Sequence, residues 1–282
     1  MRNANTSRYQ IRKNSGELAT FSAEKLRRSL LKSGAGVEVA ENVLREVSRE
    51  LYDGITTREI YRKAFNLLHG HGSHFACRYS LKKVIYEMGP SGFPFEKLVG
   101  YIFQKKNYKV QWNQVLQGRC VTHEVDLVLE KDRKTAFVEC KFHSEEGRNC
   151  DVKVPLYIHS RFEDISQRSG AQKYSGWVVT NTRFTLDALE YGNCVGLSLL
   201  SWDYPKAKGL KDLADQFKIY PITVSSLLSA EEKQSLLEKG HVLASEILQY
   251  PELLQKEKIS TERKERIIKE LQKIMHHENG KN

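Results

Sequence analysis

Long apolar stretches are missing from this sequence. No run approaches the roughly 18–20 apolar residues that a membrane-spanning helix requires. The opening segment, MRNANTSRYQIRK, also lacks the apolar centre of a signal peptide. We therefore expect a cytoplasmic protein that does not bind membranes.

Cysteines are few, and their spacing matches no common framework. The five are Cys77, Cys120, Cys140, Cys150 and Cys194, and no two of them form a CxxC pair. This spacing fits neither a zinc ribbon nor a disulfide framework, so we expect reduced and mostly buried thiols. The sequence GxxxxGK[ST] is also missing, which excludes a P-loop as a nucleotide site.

The chain is long enough for two domains and carries an excess of basic residues. Its 282 residues exceed the roughly 100–200 of a typical single domain, and 40% hydrophobic and 28% charged residues fit a folded globular protein. The 45 Lys and Arg residues outnumber the 35 Asp and Glu residues, which gives a net charge of +10. This excess favours a polyanionic partner, nucleic acid first and a nucleotide second.

The clearest break along the chain is the segment MGPSGFP at 88–94, where prolines and glycines interrupt a sequence with helical spacing of apolar residues. Before the break, the pattern predicts a hairpin around 14–16 and a helix that follows Ser22. Further helices are expected over roughly 37–51, 57–69 and 74–87, from apolar residues at helical spacing. We expect a first domain over 1–90 with a small sheet on four helices.

After the break, short apolar runs alternate with helical patterns, which indicates an α/β core over 91–204. The predicted elements are a helix over 95–105, strands over 107–115, 120–130 and 135–142, a helix over 156–168, a buried strand over 176–180, a helix over 184–191 and a last strand over 194–200. The amphipathic sequence that follows predicts a helical C-terminal extension over 205–282.

The sharpest chemical pattern lies on two of these strands, which a turn at 131–134 joins into a hairpin. Glu139 and Lys141 alternate along one strand and share a face, whereas Cys140 points to the other face. The turn brings Asp126 of the preceding strand beside them. Two carboxylates and a lysine thus converge within otherwise apolar strands, where unpaired carboxylates are costly.

Spacing alone leaves two interpretations of this cluster open. Carboxylate oxygens suit a hard cation such as Mg²⁺, and a neighbouring lysine can position water and offset charge that develops on a phosphate. The simpler interpretation is a cross-strand ion pair on a half-exposed sheet face, worth well under about 1 kcal/mol. His123 and His143 flank the cluster, as phosphate or metal contacts or as partly exposed residues near the strand ends.

Asp126 followed by Glu139-x-Lys141, after a helix that carries Phe95 and Glu96, resembles the PD-(D/E)xK nuclease core in its Mrr-type restriction endonuclease and Holliday-junction resolvase branch. The resemblance covers roughly 94–204 and includes the segment WVVTN at 177–181. It implies Mg²⁺-dependent hydrolysis of phosphodiester bonds. Asp126 and Glu139 would be metal ligands and the carbonyl of Cys140 a further one. Lys141 would activate water and Glu96 would be an accessory acid.

The N-terminal segment combines IRKNSG at 11–16, Phe21, Lys25-Leu26 and LYDGITTREI at 51–60. This pattern resembles the ATP-cone, a nucleotide-sensing module, over about 8–88. The resemblance implies that ATP or dATP binds here. Lys13 and Lys25 would hold the phosphates, Thr57 would approach the base or phosphates, and Ile11, Phe21 and Leu26 would pack near the nucleotide. The alternative is a docking domain that binds no nucleotide.

The C-terminal extension has two features of its own. The turn Lys239-Gly240 resembles part of a phosphate-binding helix-hairpin-helix, and the alternative is a helical bundle that packs on the core or mediates dimerisation. On the last helix, Ile267, Ile268, Leu271 and Ile274 form a stripe that suits oligomerisation, and we expect a homo-oligomer.

Together these patterns predict a cytoplasmic, Mg²⁺-dependent endonuclease that acts on DNA and responds to ATP or dATP. The competing hypothesis is a nucleotide-responsive DNA-binding regulator with an inactive nuclease fold.

Overall fold

The computed structural model describes residues 9–13, 16–145, 147–169 and 174–275. The predicted turn residues Asn14 and Ser15 lie outside these ranges. No helix in the described ranges is both long and apolar enough to cross a lipid bilayer.

The helices and strands follow in chain order. The N-terminal part contains β1 (Gln10–Arg12), β2 (Leu18–Thr20), α1 (Ala23–Lys32), α2 (Val37–Arg49), β3 (Ile55–Thr56), α3 (Thr57–His71), α4 (Ser73–Tyr79) and α5 (Leu81–Tyr86). The central part contains α6 (Phe93–Lys105), β4 (Lys109–Gln117), β5 (Thr122–Lys131), β6 (Lys134–Lys141), β7 (Asn149–Cys150), α7 (Lys153–Ser169), β8 (Ser175–Thr180), β9 (Arg183–Phe184), α8 (Leu186–Cys194) and β10 (Ser198–Leu200). The C-terminal part contains α9 (Leu210–Phe217), α10 (Ala230–Glu238), α11 (Ala244–Gln249), α12 (Glu252–Lys256) and α13 (Thr261–Met275).

The chain forms two compact units that divide it differently from the predicted domain boundaries. One unit contains residues 1–81, 224–232 and 245–282, and the other contains 82–223 and 233–244. The C-terminal extension therefore contributes residues to both units.

The first unit is built around a small sheet of order β2-β1-β3. Strands β1 and β2 form the predicted hairpin, and β3, which the sequence pattern did not predict, pairs in parallel with β1. Buried residues from α1, α2, β3 and α3 form one apolar core, among them Leu30, Val43, Ile55 and Leu68. The expected small sheet on helices is thus observed in this unit.

The apolar stripe on α13 is not available for the predicted oligomer contact. Ile267, Leu271 and Ile274 are buried within the chain itself and Ile268 is half-buried, and α13 packs against α4. The same helix buries Glu270, which accepts hydrogen bonds from the Ser225 and Ser226 side chains and the Ser226 amide. The stripe therefore belongs to the core of the first unit, and its assignment to oligomerisation is wrong.

The second unit contains a five-stranded sheet of order β10-β8-β6-β5-β4. The strands β4, β5 and β6 pair antiparallel, whereas β8 pairs in parallel with both β6 and β10. Helix α7 covers one face, where Phe162 lies 5.5 Å from Phe137 between ring centroids. Helix α6 covers the opposite face, where Phe103 lies 5.3 Å from Trp177. This mixed α/β architecture agrees with the predicted core.

The hairpin that carries the predicted site has the expected turn. Lys131 pairs with Lys134, and the two residues between them, Asp132 and Arg133, have φ angles of 51° and 60°. Positive φ at both central positions matches the right-handed twist of a two-residue hairpin. The turn therefore fixes the register of β5 against β6.

Some predicted boundaries are wrong. Helix α8 continues through Cys194, so the last strand is limited to 198–200 rather than beginning at 194. The expected helix over 74–87 is interrupted at Ser80, where the chain divides it into α4 and α5. All five cysteines are free, and Cys77, Cys140 and Cys150 are buried as expected, whereas Cys120 and Cys194 are exposed.

Candidate active site

The site lies where β5 and β6 stop pairing. Their ladder runs from the turn as far as Leu127 opposite Val138. Beyond this pair, the amide of Cys140 donates a hydrogen bond of 2.6 Å to the side-chain Oδ2 of Asp126. A side chain thus takes the place of the backbone acceptor on β5. This bond holds the Asp126 carboxyl group between the two strands.

Glu139 and Lys141 share a face of β6, as the alternation predicts. Lys141 Nζ lies 2.6 Å from Glu139 Oε1. The Glu139 side chain is only 6% exposed, whereas that of Lys141 is 36% exposed. The lysine thus links a buried carboxylate to the solvent-accessible side of the site.

Arg161 completes the site, and the sequence analysis missed it. It projects from α7, and its Nη1 lies 2.8 Å from Glu139 Oε2. Each oxygen of Glu139 therefore contacts one cationic group. No local motif marks Arg161, because it lies on a helix, 22 residues from its partner, and meets it only when α7 packs on the sheet.

Glu96 also reaches the site, from the first turn of α6. The start of this helix is held near the end of β6, where the rings of Phe95 and Phe142 lie 5.7 Å apart between centroids. Burial, followed by the charges of Asp126 and Glu139, raises the pKa of Glu96 to about 7. The structure therefore brings all four predicted catalytic residues, Glu96, Asp126, Glu139 and Lys141, into one electrostatic cluster.

Negative charge is crowded in this cluster. Burial and then Glu139 raise the pKa of Asp126 to about 6, although the Cys140 amide, Lys141 and Arg161 act in the opposite direction. Burial by itself would lower the pKa of Lys141, but Glu139 and Asp126 outweigh it and raise this pKa. An added cation would relieve the repulsion among the carboxylates.

The donor set suits a hard divalent cation. Asp126 and Glu139 offer carboxylate oxygens, and the predicted third ligand is the carbonyl of Cys140, the residue whose amide binds Asp126. Within the described part of the chain, no three His, Cys, Asp or Glu side chains already form a metal-binding group. Lys141 and Arg161 each contact one oxygen of Glu139, and these are the oxygens that a metal would use.

The two flanking histidines have structural contacts. His123 Nε2 lies 2.8 Å from Asp164 Oδ2, and Asp164 also accepts hydrogen bonds from the amides of Cys120 and Val121. The backbone of His143 forms two hydrogen bonds with the buried Asn181 side chain, of 2.9 and 2.8 Å. Both sets of contacts fix the backbone beside the site.

The residues predicted to bind nucleotide lie in the first unit. Phe21 and Leu26 are buried in its core, and Ile11 packs against that core. Lys13 directly follows Arg12, which pairs with Thr56, so Lys13 and Thr57 leave β1 and β3 at the same end. Lys13 and Lys25 are both exposed; Lys13 Nζ lies 2.9 Å from Glu17 Oε2, and Lys25 lies in the first turn of α1.

Comparison with known families identifies the class of the second unit. Residues 87–203 match a family model described as restriction endonuclease. A restriction-endonuclease-like domain therefore covers this segment, which includes the whole candidate site. Residues 220–275 match the model described as AF1548-like, C-terminal. Neither matched range includes the N-terminal region, so the ATP-cone resemblance stays a prediction.

The chain is also similar to individual proteins of unknown function. An uncharacterized protein of Archaeoglobus fulgidus is 29% identical over 175 residues, which are 62% of this chain and 98% of that protein. A crystal structure titled as a protein of unknown function, AF1548, has 27% sequence identity and a TM-score of 0.56. It covers 66% of this chain and 98% of its own.

Proposed function

We propose that this protein is a Mg²⁺-dependent endonuclease that hydrolyses phosphodiester bonds of DNA. The observation that carries the proposal is the convergence of Asp126, Glu139 and Lys141 where β5 and β6 separate, within a restriction-endonuclease-like domain. Glu96 adds a third carboxyl group. The net charge of +10 favours the approach of a polyanion such as DNA.

Asp126, Glu139 and the Cys140 carbonyl are the proposed metal ligands. When bound, Mg²⁺ supplies Lewis-acid activation of the attacking water and compensates charge that develops on the phosphate. The crowded carboxylates support this assignment, because burial and then the neighbouring carboxylates raise the pKa values of Asp126 and Glu96, and a bound cation would favour their charged forms.

Lys141 is the proposed catalytic cation. Its raised pKa keeps the ammonium group charged at neutral pH, and its partial exposure lets it reach a phosphate or a water molecule. Glu139 holds Nζ at a fixed position, 2.6 Å from Oε1. A preorganised charge of this kind stabilises an anionic transition state without the cost of reorganisation.

The direct test is nicking of supercoiled plasmid DNA with Mg²⁺ and with EDTA. We expect wild-type protein to nick the plasmid with Mg²⁺ and to lose this activity in EDTA. Lys141→Met should lower the cleavage rate by roughly 10²–10³-fold, since it removes one preorganised charge. Lys134→Met is the matched control, because Lys134 is exposed at the other end of the same strand. Equal rates for the two variants would contradict the role of Lys141.

The competing function, a DNA-binding regulator with an inactive nuclease fold, predicts a different outcome. Wild-type protein would then shift DNA in a binding assay but would nick none with Mg²⁺ at any protein concentration. The hydrogen bond of Asp126 to the Cys140 amide and the ion pair of Glu139 with Lys141 favour the nuclease, because they hold these three predicted catalytic residues in one place.

For the first unit we propose a nucleotide-sensing role of the ATP-cone kind, with ATP or dATP as the effector. The small sheet on helices and the common end of β1 and β3, where Lys13 and Thr57 lie, support this role.

We expect the binding of ATP or dATP to the full-length protein to be measurable by calorimetry. Lys13→Ala and Lys25→Ala should each raise Kd about tenfold through the loss of one charge-assisted hydrogen bond. Lys32→Ala, in the last turn of α1, is the control. No binding by the wild type would favour a docking domain.

A further inference from the structure

Arg161 lies in the candidate site but has no role in the proposed reaction. Its guanidinium group contacts Glu139 at 2.8 Å, and both side chains are largely shielded from solvent, at 12% and 6% exposure. An ion pair in such a setting is far less screened than one at the surface. The charge of Arg161 therefore acts strongly on Glu139.

The guanidinium group is fixed by contacts other than Glu139. Its second terminal nitrogen, Nη2, donates a hydrogen bond to the Glu124 carbonyl on β5. The ring of Tyr157, one turn earlier on α7, lies 5.4 Å from the guanidinium carbon. The planar guanidinium group thus spans from Glu139 to the neighbouring strand, a geometry that the compact ammonium group of lysine does not reproduce.

Arg161 stabilises the negative charge of Glu139, as a bound divalent cation would. The described side chains of the cluster include three carboxyl groups, on Glu96, Asp126 and Glu139, and two cationic groups, on Lys141 and Arg161. Arg161 also acts to lower the pKa of Asp126, as expected of a nearby positive charge. A metal at Asp126 and Glu139 has to displace Arg161 from an oxygen of Glu139 or share that oxygen with it.

We propose that Arg161 competes with the divalent cation for Glu139 and so sets the metal affinity of the site. The inference rests on the proposed function for the identity of the metal ligands, and it makes Arg161 a positioning residue that acts through Glu139. Removal of the arginine charge then strengthens metal binding, the opposite of what the loss of a metal-supporting residue does.

The test is calorimetric titration of Mg²⁺ into the full-length protein without DNA, so that the readout is binding rather than activity. Arg161→Met retains an apolar stem of similar shape but removes the charge, and we expect its Kd for Mg²⁺ to be about tenfold lower than that of the wild type. One unit charge at about 4 Å from a divalent ion accounts for at least this factor even in a water-like dielectric. Arg161→Lys retains the charge without the guanidinium geometry, so its Kd should lie between those of the wild type and of Arg161→Met.

Arg168→Met provides the matched control, because Arg168 is exposed on the same helix, and it should leave Kd unchanged. Weaker or equal binding by Arg161→Met overturns the inference. Thermal unfolding of each variant verifies that it is folded, and Arg161→Gln, which is also uncharged, replaces the Met variant if that one does not fold. A wild type that binds no Mg²⁺ overturns the inference as well. A wild type that binds Mg²⁺ with the predicted order of variants but cuts no DNA would instead contradict the proposed nuclease.

Discussion

We expect Asp126→Asn to lower the rate of DNA cleavage by about 10³-fold or more. The carboxylate lies at the separation of β5 and β6 and is a proposed metal ligand. The Asn side chain keeps the size of Asp, and its carbonyl oxygen can still accept the hydrogen bond from the Cys140 amide. The substitution therefore removes charge with little change in shape. A loss of this size corresponds to about 4 kcal/mol of transition-state stabilisation.

The same substitution is expected to stabilise the folded protein, which separates a catalytic role from a structural one. Burial and Glu139 raise the pKa of Asp126 from 3.8 to about 6. The folded chain thus binds this proton more tightly than the unfolded chain, so the free energy of unfolding decreases as the pH rises through this range. Asn has no proton to lose. Asp126→Asn should therefore have a higher Tm than the wild type at neutral pH in EDTA, and the difference should diminish below pH of about 4.

Both measurements have a matched control on the same hairpin. Asp132→Asn changes an exposed residue of the turn by the same chemistry, and we expect it to retain wild-type cleavage. Retained cleavage by Asp126→Asn would contradict the proposed site. A lowered Tm together with lost cleavage would instead indicate that Asp126 is needed for folding.

Glu270→Ala should cost about 3–4 kcal/mol in the free energy of unfolding, the largest stability effect we expect. Its buried carboxylate accepts hydrogen bonds from Ser225 Oγ at 2.5 Å and from the Ser226 amide at 3.1 Å. Cys77 Sγ lies 3.8 Å from Oε1. Truncation leaves several donors without an acceptor and opens a cavity, and each mechanism is among those that give large losses.

The measurement combines urea unfolding with hydrogen exchange of the α13 amides. Because the chain has two compact units, one unfolding midpoint need not describe both, and exchange reports the first unit directly. Glu265→Ala, an exposed position on the same helix, is the control and should change stability by less than about 0.5 kcal/mol. Similar exchange rates in the two variants would show that the buried carboxylate contributes little.

The packing around Glu270 also explains why the sequence pattern gave a wrong prediction for the apolar stripe on α13. Apolar residues at helical spacing identify a face that must be covered, and they carry no information about what covers it. In the structure α13 packs against α4, Ile267 and Leu271 are buried, and Glu270 between them accepts hydrogen bonds from serines about 45 residues earlier. The hydrogen-bond partners of a lone glutamate in a charged helix cannot be read from local sequence.

The core of the candidate site was determined by the sequence itself. Side-chain alternation along β6 places Glu139 and Lys141 on one face, and a two-residue turn fixes which residue of β5 lies opposite them. These are short-range rules of backbone geometry, so the sequence alone groups Asp126, Glu139 and Lys141. Only the tertiary structure decided that Arg161 joins them, and that helices from the C-terminal segment complete the core of the first unit. Such contacts depend on how separate elements pack, and packing is decided by the shape and burial of the whole chain rather than by any local pattern.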